Sequence, residues 1–381
     1  MSRRGRRSTD SLSVTVSGGS MGGLFAALAL EEAGHEPTVY ERSTGDLRGR
    51  GAGIVAQENV RRFLERRDIA DPEAITTASS ERRFLARDGD VETSRPDSMV
   101  FASWDAVYRR LRDAFPDDRY RMGREVVGVD PGTATAEFAD GTDRDADLLV
   151  VAEGGQSATR RQLFPGVGPE FASYVAWRGV IDESDLASDV ADRFDDAFVF
   201  FQGPRLLMLA YFIPGDDGGT APGERRLNWV WYDTLEGRDR SAVFTDATGT
   251  VREITVPPGS LRGPVWDRQL ERARDVLPPV FATVVEATPA PFVQAIFDLT
   301  SPEMVVDRVC LLGDAAFVAR PHTAAGTAKA AGDAVALERD LERRDSLESA
   351  LSTWNDARTE YGERLVARGR RMGDERLNLA R

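Results

Sequence analysis

Apolar and polar positions over residues 1–75 fall into a strand, turn, helix, strand order. Leu12 to Ser17 alternates toward a buried strand, Gly18 to Gly23 forms a tight glycine turn, and Leu24 to Ala33 is a run of good helix formers. That run stops at Gly34, the residue type that takes a left-handed helix end without a Cβ penalty. Thr38 to Tyr40 reads as the second strand, closing at Glu41. The block Arg48 to Arg67 carries Gly49, Gly51 and Gly53 and then a helical pattern from Glu58 to Arg66. Trp104 to Arg110, continued by Leu111 and Phe115, is spaced as an amphipathic helix. Val126 to Val129 and Ala134 to Phe138 read as strands, and Asp140-Gly141-Thr142 turns the chain toward the apolar strand Leu148 to Ala152.

From Phe171 to about Gln294 the texture changes to aromatic-rich strands with Gly, Pro and Asp turns: Tyr174 to Val180, Phe198 to Gln202, Leu206 to Ile213 and Leu227 to Tyr232. The first texture then returns with a strand at Arg308 to Leu312, a helix from about Ala325 to Arg339 and a charged helical stretch from Leu347 to Arg371. There is no internal repeat and no low-complexity linker. The pattern predicts an α/β protein in which a discontinuous nucleotide fold (1–75, 100–170 and 295–381) is interrupted by a mixed β-sheet domain (76–99 and 171–294).

The length of 381 residues suits two domains, and an apolar content of 41% is ample for their cores. A single cysteine, Cys310, excludes a disulfide-stapled scaffold. A net charge of −14 disfavours a nucleic-acid interface, which needs a basic face to displace counterions. Lys329 is the only lysine, so 48 of the 49 basic residues are arginine. Such a composition fits either a high-salt cytoplasm or a genome rich in arginine codons. The head Ser2 to Arg7 could pass for a twin-arginine export signal. However, the apolar stretch after it breaks at Gly18-Gly19-Ser20 and runs into Thr38 to Glu41 without a cleavage site, so it reads as a frayed terminus. No apolar run approaches the ~18 residues that span a bilayer. A soluble, cytoplasmic protein with no nucleic-acid or membrane partner is expected.

The glycine turn carries the first chemistry. A dinucleotide turn needs small residues so that the backbone can bend and let pyrophosphate reach amides at a helix N-terminus. Gly18-Gly19-Ser20-Met21-Gly22-Gly23 keeps the outer glycines of GxGxxG, with Ser20 at the central position. Glu41 follows at the end of the second strand, where a carboxylate can accept both ribose hydroxyls. Two later blocks also follow buried strands: Ala152-Glu153-Gly154-Gly155-Gln156-Ser157 with Arg160, and Gly313-Asp314-Ala315-Ala316, which leads through Arg320-Pro321-His322-Thr323 into a helix.

With these three blocks in order, the chain resembles the single-component FAD-dependent aromatic hydroxylases, the family that includes para-hydroxybenzoate hydroxylase. The likeness covers nearly the whole chain. Within the family it resembles the 2,6-dihydroxypyridine 3-hydroxylase branch, through the Gly-Gly-Ser turn, Tyr174 to Val180, Arg225-Arg226-Leu227-Asn228, and Arg320-Pro321-His322 through Lys329-Ala330. Glu153 departs from the family's Asp, and Phe317 stands where His is common.

The resemblance implies FAD as cofactor, NADH or NADPH as co-substrate, O2, and a small aromatic substrate, with a homodimer left open. It assigns Gly18, Gly19, Ser20, Met21 and Gly23 to the pyrophosphate and Glu41 to the adenosine ribose. Asp314 falls to the ribityl chain or pyrophosphate, and Glu153 with Gly154 to the flavin and nicotinamide region. Gly53 and Gln57 would lie along the flavin, with Arg109 near it. Arg42 would reach adenine or phosphate, or else be a solvated surface arginine. Ala324, Ala325 and Gly326 would open a helix toward the flavin, leaving room for close backbone approach.

In this family a flavin C4a-hydroperoxide delivers its distal oxygen to an electron-rich ring, so a group that helps deprotonate a ring hydroxyl is expected. His322 is the candidate, since His35 lies in a turn away from every motif; the alternative is a loop-stabilising histidine. Tyr211 is a further catalytic candidate, and Gln202, Trp229, Trp231 and Pro321 are candidates to line the substrate, although aromatics at strand spacing are often simply core. Lys329 is either retained for a role arginine cannot fill or left by chance on a solvated face. Competing readings are an epoxidase or ring-opening oxygenase on the same scaffold, an NAD-dependent dehydrogenase, and a flavin redox sensor.

Overall fold

The computed structural model describes residues 11–379 apart from Arg48, Arg50 and Glu236; the basic head at Ser2 to Arg7 lies outside them. The chain builds two large sheets and one small one. The first sheet runs, from edge to edge, Val305–Val306, Val309–Leu311, Leu148–Val151, Ser13–Ser17, Glu36–Glu41 and Tyr120–Met122. All its pairings are parallel except the first. A parallel sheet covered on its faces reads as continuous apolar sequence, which is why Leu148–Val151 has no polar residue. The helix Met21–Glu32 starts at Ser20 and stops before Gly34, whose φ of +92° supplies the expected left-handed end. It packs against the long helix Gly326–Arg343.

The second sheet is ordered Thr255–Val256, Phe292–Thr300, Glu170–Asp182, Arg226–Thr234, Leu206–Ile213, Ala197–Gly203, Thr77–Leu85, Val91–Ser103 and Gly53–Val55, with Phe317–Val318 added beside Phe292–Thr300. Most pairings are antiparallel; Ala197–Gly203 and Thr77–Leu85 run parallel, so the sheet is mixed. Gly53–Val55 joins this sheet although its chain neighbours belong to the nucleotide fold. That places residues 53–55 at the seam between the two units.

The sheet has two distinct buried faces. One face, with Trp177, Trp229, Trp231, Val175, Met208 and Phe201, packs against the helices Gly263–Val276 and Pro279–Ala287. Those helices interrupt a region whose texture predicts strands. Each has a proline in its first turn, where the ring's fixed φ suits a helix start. The other face, with Tyr174, Phe101, Phe198, Phe200, Tyr211, Val230 and Tyr232, looks toward the nucleotide fold. It is closed by the end of the terminal helix Leu347–Leu377, which buries Leu377 against it. Among the described residues no helix is long and apolar enough to cross a membrane.

Candidate active site

A cavity of about 600 Å³ opens at the C-terminal ends of the parallel strands, where crevices of this fold bind ligands. Gly18, Ser20, Met21, Glu41, Arg42, Glu153, Gly154, Asp314 and Gly326 all line it, so the three sequence blocks converge. The glycines are there for space. Gly18 has φ +104°, and a Cβ on it would sit 2.4 Å from the Ala152 carbonyl oxygen. A Cβ on Gly23 would lie 1.8 Å from the Gly18 carbonyl oxygen, and one on Gly19 2.3 Å from the Tyr120 hydroxyl. Tyr120 also donates to the Gly19 carbonyl at 2.8 Å. Sequence reasoning missed this tyrosine, since nothing local marks a residue a hundred positions downstream as the prop of the turn. Ser20 sits at the N-cap with φ −77°, a conformation any residue adopts, so the lost central glycine costs the backbone nothing.

Glu41 is 7% exposed, and backbone amides hold its carboxylate in place. Gly19 N–H donates to Oε2 at 2.8 Å and Ser43 N–H to Oε1 at 2.9 Å. Glu153 accepts from the hydroxyls of Ser17, Ser157 and Thr159, each at 2.7 Å, and from the Thr159 amide at 3.2 Å. The half-buried, longer side chain thus has a full donor set of its own. Asp314 is anchored by Lys329, which is 2% exposed and 3.0 Å away; the same ammonium donates to the Phe317 carbonyl. Gly313 N–H donates to Asp333 at 3.0 Å, so the helix Gly326–Arg343 holds this loop at several points. Phe317 fills space above Gly362 in the terminal helix, where a Cβ would lie 2.3 Å from its ring.

The loop before that helix is under tension. Ala324 has φ +53°, a left-handed value that costs a non-glycine residue of order 1 kcal/mol or more. Gln57 holds it by donating to the Ala324 carbonyl at 2.9 Å, with a longer contact to that of Thr323. Ala325 is buried behind the loop. Gly53 ties the two units together: its N–H donates to Asn228 Oδ1 at 2.8 Å, and its carbonyl accepts from Arg178 Nη2 at 3.2 Å. A Cβ there would sit 2.6 Å from the Asn228 side chain.

Facing Gly53 from the sheet are the candidate Tyr211 and groups for which sequence reasoning found no role, Arg178 above all. Arg178 also donates to Gln294 at 3.1 Å, while its buried Nε has no partner among the described residues. Tyr211 lies opposite Asn228 in register and stacks on Phe101 with ring centres 4.1 Å apart. Burial pushes the Tyr211 phenol up out of the physiological range, and the Arg178 charge partly opposes this. Tyr232 is pushed up to about 12 by burial against the same cation. His322 Nε2 is 2.8 Å from the Tyr174 hydroxyl, and its ring lies 4.3 Å from that of Tyr232. Burial first, then the charges of Arg376 and Arg320, push His322 down to about 3, so its imidazole is neutral at physiological pH. A neutral imidazole at this place serves as a hydrogen-bond partner, as its contact with Tyr174 shows.

Other expected residues lie elsewhere. Trp229 and Trp231 are on the helix-covered face, because Asn228, Val230 and Tyr232 take the alternate positions that look toward the nucleotide fold. Trp229 donates to Thr288 at 2.8 Å, deep in that core. Gln202 is exposed at its strand end, and its amide is committed to the carbonyls of Leu206 and Arg376 at 2.7 and 2.5 Å. Arg109 points away from the main cavity: Trp104 faces it instead, while Arg109 contacts the Asp216 carbonyl in a separate cavity of about 300 Å³. One helical step separates Tyr108, four residues after Trp104 and stacked on it, from Arg109 on the next face. Pro321 is exposed at the start of a short turn.

Known proteins resemble this chain in sequence and fold. Residues 171–298 match the family model described as FAD binding domain-like. The chain is 35% identical over 363 residues to 2,6-dihydroxypyridine 3-monooxygenase of Paenarthrobacter nicotinovorans, covering 94% of this chain and 90% of the relative. The chain belongs to the FAD-dependent aromatic hydroxylases. The solved 2,6-dihydroxypyridine-3-hydroxylase from Arthrobacter nicotinovorans superposes with a TM-score of 0.91 at 33% identity, covering 97% of this chain and 94% of that one. The 6-hydroxynicotinate 3-monooxygenase of Pseudomonas fluorescens is 27% identical, covering 86% of this chain and 82% of the relative. FAD fits the hydroxylase cavity: the positions a Cβ would fill, the Glu41 carboxylate and the Gly326 helix start are the donor and acceptor set a dinucleotide needs.

Proposed function

We propose that this hydroxylase acts on a hydroxylated pyridine or a similar N-heteroaromatic ring, with NADH or NADPH as reductant and O2 as oxidant. The observation that carries the reading is Arg178, a guanidinium with a free buried Nε, set against the Gly53 carbonyl and near enough to Tyr211 for its charge to act there. Bound FAD supplies the electron transfer and oxygen activation, which no side chain can provide.

The chain's own residues prepare the ring. A hydroxyl-bearing ring becomes richer in electrons as its proton leaves, and a nearby cation favours that charged form. Hydrogen bonds to a charged group contribute about 1.5–3 kcal/mol, or roughly one to two pK units. Arg178 is therefore assigned to the ring oxyanion, Tyr211 and Phe101 to the ring's faces, and neutral His322 with Tyr174 to a polar ring edge. Glu41, Ser20, Gly18 and Asp314 are assigned to the cofactor's nucleotide half, and Gln57 with Ala324 to the backbone beside its ring. Two relatives that act on hydroxypyridines favour the same substrate class.

A supply of NAD(P)H accords with a cytoplasmic setting in this reading, and a homodimer is the assembly to test by light scattering. The deciding experiment is purification followed by turnover. A yellow protein should oxidise NADH or NADPH faster when 2,6-dihydroxypyridine or 6-hydroxynicotinate is added, with a product one oxygen atom heavier. A flavin-loaded protein that hydroxylates no hydroxypyridine would overturn the substrate class.

A further inference from the structure

The helix Trp104–Ala114 begins at a capped end, where the Ser103 hydroxyl accepts from the Ala106 amide at 3.0 Å. Its first residue, Trp104, is held at both backbone and ring. The Trp104 amide donates to the Ala52 carbonyl at 2.9 Å, and Gly51 leaves room for the indole, since a Cβ there would sit 2.3 Å from the ring's Cγ. One turn further on, Tyr108 stacks on the indole with ring centres 5.0 Å apart and planes at 15°. The Tyr108 hydroxyl lies 3.4 Å from that of Tyr120, whose own ring is covered by the Arg112 guanidinium at 4.1 Å and which donates to the Gly19 carbonyl. A column of three rings therefore runs from Trp104 to the glycine turn 18–23.

Of these three rings, Trp104 is the one that lines the cavity of about 600 Å³. Its indole N–H makes no hydrogen bond among the described residues, and it is not sealed inside a core as the indole nitrogens of Trp177 and Trp231 are. An indole N–H can only donate. The carboxylates lining the same cavity, Glu41, Glu125, Glu153 and Asp314, can only accept when ionised, and the same holds for a pyrophosphate. An unused donor among them is therefore matched to an anionic cofactor, and the indole of a packed tryptophan usually finds such a partner. We propose that Trp104 is a cofactor-binding residue whose indole N–H donates to a pyrophosphate oxygen of FAD, with Gly51 and Tyr108 keeping the ring turned to the cavity. The proposal rests on FAD occupying this cavity. It gives the ring column a function: the indole and the Gly19 turn grip the same stretch of the cofactor, and Tyr108 and Tyr120 fix one against the other.

The test compares wild type with Trp104→Phe, which keeps a ring against Tyr108 but has no N–H, and with Trp104→His, which restores a ring N–H. Each full-length chain, freed of flavin, is titrated with FAD by the change in flavin fluorescence, and ADP and adenosine are then added as competitors. Trp104→Phe should bind FAD and ADP about tenfold more weakly, as the loss of one hydrogen bond to a charged acceptor requires, and adenosine as wild type does. Trp104→His should recover part of that loss. Wild-type affinity for FAD in the Phe variant overturns the proposal. An equal fall for ADP and adenosine also overturns it, because the cavity wall and not a phosphate contact would then be disturbed. A His variant that binds no better than Phe does the same. A wild-type chain that takes up no FAD would overturn the cofactor reading itself, whereas the variant results bear on Trp104 alone.

Discussion

Lys329 holds Asp314 from below: its ammonium lies 3.0 Å from the carboxylate at 2% exposure, while Asp314 itself remains 51% exposed toward the nucleotide cavity. The same nitrogen donates to the Phe317 carbonyl, so the chain's one lysine fastens both ends of the loop 314–317. A compact ammonium can converge on two acceptors at that depth, whereas a planar guanidinium is longer and spreads its donors in a fork. Lys329→Met should lower stability by about 1–3 kcal/mol and weaken FAD about tenfold, and Lys329→Arg should not restore either. Thermal unfolding and the flavin retained after gel filtration measure both. Wild-type values in the Met variant would remove the lysine from the support of this loop.

The glycines of the turn are predicted to differ sharply in tolerance. A Cβ on Gly23 meets the Gly18 carbonyl oxygen at 1.8 Å, whereas one on Gly22 finds nothing nearer than 3.7 Å. Gly18→Val adds a backbone penalty at φ +104° to its own clash. Gly23→Ala and Gly18→Val should therefore emerge largely without flavin, and Gly22→Ala should stay yellow. The ratio of flavin to protein absorbance decides, with circular dichroism reporting whether the chain folded. A yellow Gly23→Ala protein would contradict the packing.

What the sequence made legible follows the range of each interaction. The glycine turn, the helix Glu58–Arg66 and the strand Leu206–Ile213 are set by local pattern, and they stand where that pattern puts them. Which sheet face a residue occupies depends on pairing with distant strands, so Trp229 and Trp231 were indistinguishable from their neighbours until the register fixed them. Arg178 and Asn228 lay inside segments that carried the family likeness, yet their meeting at Gly53 spans more than a hundred residues. The faces predict opposite outcomes. Trp229→Phe should cost about 1–2 kcal/mol through the lost Thr288 bond and volume, with substrate KM unchanged. Val230→Trp, one residue along, should raise KM severalfold by filling the inner face. Steady-state kinetics beside urea denaturation separates the two.

His322 makes acid stability predictable in sign. Its pKa falls from 6.5 to about 3 in the folded chain, chiefly through burial. Between those values the native state binds fewer protons than the unfolded one, so stability is full above about pH 6.5 and declines as pH falls toward 3. One such group contributes a slope of at most about 1.4 kcal/mol per pH unit. His322→Asn should flatten that part of the urea-denaturation profile, and it should leave no inflection missing from the rate profile near neutrality. An unchanged stability slope would mean that His322 ionises freely in the folded protein.

Arg178 supplies the prediction that bears most directly on chemistry. If its guanidinium favours the ring oxyanion, removing the charge must raise the pKa of the bound substrate's hydroxyl. Arg178→Gln should shift the alkaline rise of kcat/KM upward by about one unit or more and slow hydroxylation at neutral pH by about tenfold. Arg178→Lys should recover part of the shift, since charge returns without the fork that reaches both Gln294 and the Gly53 carbonyl. A purely structural arginine would change stability and KM together and leave the pH profile where it was. A Gln variant with an unmoved profile would therefore take Arg178 out of substrate activation, even if its turnover were reduced.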